Sequence, residues 1–254
     1  MEDDKKPIAI IAVAMVVLLA GGAWWFSRNT KKPPAAANAS PSSAPVTGTE
    51  APVSKTEALP LTLPPMEGMD AFLRSLLAGL SSRPELANWL ATDDLIGQLA
   101  SAIDQAAVGG SPARDFKVIK PAGSFSASGP RNQRFIDTSS YRRYDGLVQT
   151  VTSIDATRVA VLYKTIRPRL NEAYRRMGNP AGDVDRAMAQ VLDILLDTPI
   201  VKDPIPIVAD EGAWIFADED LESRPPAQKQ LLRMGSSNVE RVQAWLRALQ
   251  AALE

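Results

Sequence analysis

Apolar residues recur at spacings of three and four through most of the chain beyond Pro65, the period of a helix that buries one face. The first run is Phe72, Leu73, Leu76, Leu77 and Leu80. Ser82 and Glu85 then have the capping-box spacing and open a short helix carrying Leu86, Trp89 and Leu90. For the next helix Thr92 is the expected N-cap, with Asp93 and Asp94 in the first turn, Leu95, Leu99 and Ile103 on one face, and Gly109-Gly110 as the stop. Further helices are predicted over Ser139–Ile154 and Asp155–Met177, the second with Val159, Leu162, Ile166, Leu170, Tyr174 and Met177 on its face. Another covers Asp183–Asp197, with Val184, Met188, Val191 and Leu195 inward and Pro199 as its end. One more follows Pro225 and stops at Gly235. The last opens at a Ser237–Glu240 capping box and carries Val239, Val242, Leu246, Leu249 and Leu253. Two heptads are too few for a coiled coil, so this helix is expected to face the core.

Elsewhere the period changes. Ile205 and Ile207 recur at a spacing of two, as do Trp214 and Phe216, with Ala-Asp-Glu-Gly between the pairs, the pattern of a hairpin lying against helices. Pieces around Phe116, Phe125 and Phe135, separated by Pro, Gly and Ser, read as strands or extended loops. The expected fold is mainly α: a helical domain over 66–254 with a small β-hairpin or short strands.

The N-terminal quarter has a different pattern. After a short tail (1–6), residues 7–26 carry no charge and as a helix would span about 30 Å, the thickness of a bilayer core. Lys5 and Lys6 precede this stretch, Arg28, Lys31 and Lys32 follow it, and Trp24 and Trp25 stand where an interfacial aromatic belt would lie. A cleaved signal peptide is the competing reading, but its apolar region would be shorter, about 7–15 residues. An uncleaved single-pass transmembrane helix is expected, and the lipid bilayer is then a partner. The flanking charges do not set its orientation. Residues 27–65 hold eight prolines with Ala, Ser and Thr and few large apolar groups, so a disordered linker is expected. Its reach would be about 35 Å as a coil and about 120 Å fully extended.

Composition mainly excludes. With 254 residues, a net charge of −1 and 45% hydrophobic residues, the chain lacks the strongly basic balance of a nucleic-acid-binding domain. It has neither cysteine nor histidine, which removes disulfides, thiol nucleophiles, His-ligated metals and His-dependent triads. The motifs S-x-x-K, G-x-S-x-G and G-x-x-x-x-G-K are absent. Asp218-Glu219-Asp220-Leu221-Glu222 suggests a cation loop, but Ser223 and Lys229 stand where an EF-hand needs Gly and Glu. No catalytic residue, metal or cofactor is expected. The remaining enzymatic alternative is a carboxylate-dependent cell-wall hydrolase using Glu172 or Glu211.

The strings ELANWLATDDLI, SPARDF, SYRRYD, LYKTIRPRLNEAYRRMG, WIFADEDLE and PAQKQLLRMGSSNVERVQAWL together carry a resemblance from about Leu63 to the C-terminus. The chain resembles a Gram-negative bacterial family of membrane-anchored proteins catalogued as a domain of unknown function. That resemblance implies an inner-membrane anchor and a periplasmic domain, and it brings no reaction, ligand or functional residue with it. The expected function is a noncatalytic, membrane-anchored binding or scaffolding domain.

Two features bear on a partner. Tyr141, Arg142, Arg143 and Tyr144 could form an anion or partner patch, since guanidinium forks beside phenols suit phosphate and carboxylate. On a continuous helix, however, Tyr141, Tyr144, Val148 and Val151 share a face, which favours buried tyrosines and solvated arginines. Charge is also unevenly distributed: residues 138–177 hold eight basic and three acidic side chains, and residues 178–222 eleven acidic and two basic. Pairing between the two segments is the favoured reading; otherwise the polarity would steer a protein or an anionic cell-envelope partner.

Overall fold

The helical period in the sequence becomes a set of helices packed around one main core. The structure is a computed structural model, and it describes residues 63–77, 91–112, 121, 123–178 and 182–254. The expected span at 7–26, the linker up to residue 62, the short helix carrying Leu86 and Trp89, and Phe116 lie outside the described residues. Among the described residues no helix is long and apolar enough to cross a membrane.

Helix α1 (Met66–Leu77) packs on α2 (Leu95–Ala107), and α2 packs in turn on α5 (Ala156–Arg176) and α6 (Val184–Leu196). The last helix, α9 (Ser236–Leu253), lies across α5, α6 and α4 (Asp145–Thr152). Leu99, Ile103, Val159, Ile166, Leu170, Val191, Val242 and Leu246 are the centre of this core, each fully buried. Burying a side chain of that size contributes about 1.5–3 kcal/mol. All eight positions were predicted from spacing. Met177 was not well placed: it ends α5 as the C-cap and is 40% exposed.

The hairpin is half of a larger sheet. Strands β1 (Ala127–Ser128), β2 (Arg134–Ile136), β3 (Pro206–Asp210) and β4 (Ala213–Phe216) pair antiparallel in chain order, with Ile207 opposite Phe216 and Arg134 opposite Ile207. Glu211 and Gly212, both with positive φ, make the two-residue turn between β3 and β4. Ile136, Ile205, Ile207 and Phe216 form a second core with Tyr141, Leu221 and Leu232. Tyr141 comes from α3 (Thr138–Arg142), Leu221 from α7 (Glu219–Glu222) and Leu232 from α8 (Pro226–Leu232).

Three boundaries differ from expectation for local reasons. The helix predicted over 139–154 breaks after Arg142, because Tyr141 enters the sheet core while Tyr144 enters the helical core. The N-cap of α2 is Asp94, not Thr92; its carboxylate accepts from Gly97 N–H, and Asp70 of α1 accepts from the Asp94 and Leu95 N–H groups at 2.7 and 2.9 Å. The Ser237–Glu240 box does not form: the N-cap of α9 is Gly235, two residues earlier, and the Asp203 carboxylate, from a distant loop, accepts from the Ser236 N–H and Oγ–H. In the last two cases a side chain from elsewhere in the fold satisfies an N-terminal N–H that the sequence assigned to a local partner.

Candidate binding face on α5

Helix α5 is capped by Asp155, whose carboxylate accepts from the Arg158 N–H at 2.8 Å, and its last turn carries Arg175 and Arg176 at the negative end of the helix dipole. Val159, Tyr163, Ile166, Leu170 and Tyr174 turn inward. The opposite face follows from 100° per residue: Arg158, Val161, Lys164, Pro168 and Arg175 all lie on it and all are exposed. Val161, in the second turn of the helix, is 61% exposed. Pro168 lacks the N–H that would bond the Lys164 carbonyl, and it stands where water can take that place.

Basic side chains continue along both edges of this face. On one edge Lys164 and Arg167 border a groove of about 310 Å³ between α5, α6 and the end of α9, floored by Met188 and Leu192. Lys164 Nζ donates to the Ala252 carbonyl there at 3.0 Å, and Arg167 pairs with Asp185 at 3.1 Å. Tyr163 also donates to Asp185, at 2.7 Å; burial first, and this hydrogen bond second, push its pKa above the ordinary tyrosine value. On the other edge Arg176 and Met177 line a groove of about 440 Å³ with Met66, Asp94 and Gln98.

Arg169 sits on this second edge with a separate task. Its Nε donates to the Pro64 carbonyl at 2.8 Å and one Nη to Leu63 at 3.5 Å, fixing the end of the expected linker to the middle of α5. Its other Nη donates to Glu172 at 2.8 Å, and Arg176 reaches the same carboxylate at 2.7 Å. The Arg169 hydrogen bond first, then the Arg176 charge, hold Glu172 below the ordinary glutamate pKa. A carboxylate held ionised by two guanidiniums is a poor proton donor. Glu211, the other carboxylate of the hydrolase alternative, is exposed at the hairpin tip.

The four residues of the Tyr-Arg segment do not converge on one surface. Tyr141 is buried in the sheet core, where its hydroxyl accepts from the Ile205 N–H at 2.9 Å, and burial raises its pKa. Tyr144 is buried among the helices. Arg142 is exposed, whereas Arg143 is half-buried with its guanidinium 5.8 Å from the Tyr144 ring centre, and burial lowers its pKa. The acidic loop is also committed internally. Asp218 caps α7, and Glu222 accepts from the Phe216 N–H and from Lys229. Among the described residues no group of three or more Asp or Glu side chains is arranged to hold a metal.

Sequence reasoning missed Arg169 and Arg233. Arg233 lies 4.6 Å over the Phe216 ring, donates to the Trp214 carbonyl at 3.0 Å, and has a buried Nη1 without a hydrogen-bond partner among the described residues. Arg169 had one local signal, its spacing of three to Glu172 and seven to Arg176 on the same helix. Arg233 had none, because its ring partner lies on a strand.

No curated protein and no solved structure matches the chain. The family model described as "Protein of unknown function (DUF3014)" matches residues 95–250, from the start of α2 into α9 and so including the whole α5 face. That match covers well over half of the 254 residues, and the chain belongs to this family.

Proposed function

We propose that the domain is a noncatalytic binding module of the bacterial cell envelope, held at the inner membrane by residues 7–26, carried on the 27–65 linker in the periplasm, and using the α5 face for contact. The observation that supports this most is the Arg169 clamp on Leu63 and Pro64. It joins the linker to the domain beside a solvent-facing stripe of Arg158, Lys164 and Arg175 around Val161. A chain whose N-terminal segment sits in a bilayer would therefore be tethered next to its most basic exposed helix. Tethering raises the effective concentration of the face at the membrane, so even a weak contact there is populated.

Topology and contact are tested separately. Alkaline phosphatase fused after Glu254 should be active in intact cells, and a fluorescent protein that matures only in the cytoplasm should be dark at the same position; the reverse pair of results refutes the periplasmic assignment. A photoreactive residue at Val161 should crosslink to envelope components, whereas one at Asp193 on α6 should not; equal yields at both positions refute the α5 face as the contact surface.

A further inference from the structure

We infer that the α5 face docks on the anionic lipid surface of the same bilayer that holds residues 7–26, with Val161 entering the headgroup region and Lys164 and Arg175 over the lipid phosphates. This rests on the tethered reading above. An exposed apolar residue set among basic ones is the pattern of a helix lying in a membrane interface, where apolar burial and attraction to anionic lipid add.

Chain geometry and charge point the same way. The linker joins at Arg169, on the edge of this face, and a coil of the linker's length reaches about 35 Å, so the tether does not hold the face off the bilayer. Glu172, the acidic residue within the face, is neutralised by Arg169 and Arg176. Asp218 at the cap of α7, Glu219 and Asp220 on it, and Asp210 and Glu211 at the hairpin tip are exposed. An anionic surface repels those groups and attracts α5, which sets an orientation as well as an affinity. The attraction acts over roughly 8 Å at physiological salt, so it needs close approach and weakens as salt is added.

The chain contains no cysteine, so a single introduced one carries a single label. The full chain would be placed in nanodiscs holding either phosphatidylcholine alone or phosphatidylcholine with phosphatidylglycerol, with a fluorophore at Val161→Cys, at Thr157→Cys on the same face, or at Glu211→Cys at the hairpin tip. A lipid-borne quencher should quench the Val161 and Thr157 labels in the anionic discs, and not in the neutral discs or at high salt. The Glu211 label should stay bright throughout. Lys164→Gln with Arg175→Gln should weaken docking about 25-fold, roughly fivefold for each charge. If the chain co-migrates with the discs at high salt but neither α5 label is quenched in anionic discs, docking is wrong and the tether stands. Quenching that is equal at Glu211, or indifferent to lipid charge and salt, also overturns docking. A chain that does not co-migrate with the discs overturns both. The salt series on the unsubstituted face decides the matter even if the double variant folds poorly.

Discussion

Replacing Gly235 with alanine tests the joint between the two cores. Gly235 precedes α9 at φ 84° and ψ 156°, a backbone region that is essentially glycine-only and costs other residues about 1–3 kcal/mol. An added Cβ would also stand 2.9 Å from Tyr141 Cγ and 3.0 Å from Cδ1. The ring has little room to retreat: it is 6% exposed, and its hydroxyl is bonded to Ile205. Displacing it adds the overpacking cost of a filled core, about 1–3 kcal/mol. The sum is about 2–6 kcal/mol, and at about 2–4 °C per kcal/mol for a domain of this size the Tm should fall by roughly 4–24 °C. Gly178→Ala is the control: its φ is +99° but no atom lies within 4 Å of the added Cβ, so only the backbone cost applies. Thermal and urea unfolding followed by circular dichroism would measure both. In a Tyr141→Leu background the Gly235→Ala penalty should shrink toward the backbone part, a coupling of about 1 kcal/mol or more. A Gly235→Ala melt within about 2 °C of the parent, or a penalty that Tyr141→Leu leaves unchanged, refutes this packing.

Other outcomes follow from single contacts. Arg169→Ala should speed amide hydrogen exchange in the first turn of α1, where the Gly68 N–H bonds Pro65, and leave α9 unchanged; uniform or absent acceleration would mean that Arg169 does not hold the segment. Asp70→Ala should cost about 1–2 kcal/mol by urea unfolding, because two N–H groups at the start of α2 lose their acceptor; a loss below about 0.3 kcal/mol would contradict the cap. In alkali, burial first raises the pKa of Tyr141, Tyr163 and Tyr174, the last to about 12 with help from its hydrogen bond to Asp104. Raised folded-state values stabilise fully below the unfolded value of about 10, and that stability is lost as pH climbs through the folded values. Late phenolate absorbance should therefore appear together with loss of helical signal; ionisation of all tyrosines near the ordinary value with helix intact would refute it.

The sequence disclosed what depends on near neighbours. Val159, Ile166 and Leu170 could be placed inward because helix period alone decides the face, and Asp155 and Asp183 could be placed at helix starts because their acceptors serve the next turn. Illegible were contacts whose partner lies far along the chain. Strand β2 pairs with β3 some seventy residues later, so the sheet showed only its hairpin half. Asp203 serves Ser236 across thirty-three residues, and its place was assigned to a local Ser237–Glu240 box that the fold does not use. The break between Tyr141 and Tyr144 belongs to the same class. Spacing of three puts both on one face of a continuous helix, and the existence of two separate cores, which only tertiary structure reveals, sends them apart.

The same distinction bears on the charge polarity. Adjacent segments of opposite sign invite the expectation that they neutralise each other, and at the α5–α6 seam they do: Asp185 takes both Arg167 and the Tyr163 hydroxyl. A helix meets its neighbour only along a flank, however, and Arg167 lies about 120° around α5 from Val161. Glu172 accounts for two further arginines within α5 itself. Lys164 is exposed at the rim of that seam, where its Nζ donates to the Ala252 carbonyl, Arg175 stands exposed on the outer side, and the acidic residues of α7 and the hairpin tip are exposed on other elements. Pairing at the seam therefore leaves the polarity on the surface, where it acts on whatever approaches from outside. Exposed pairs in water contribute about 0–1 kcal/mol each, so a fold gains little by bringing those charges together. Exchanging Lys164 and Arg175 for glutamine should accordingly change the unfolding free energy by about 0.5 kcal/mol or less. A destabilisation above about 1.5 kcal/mol in urea would show that these cations hold the domain together, and would remove the reason for assigning them to an external surface.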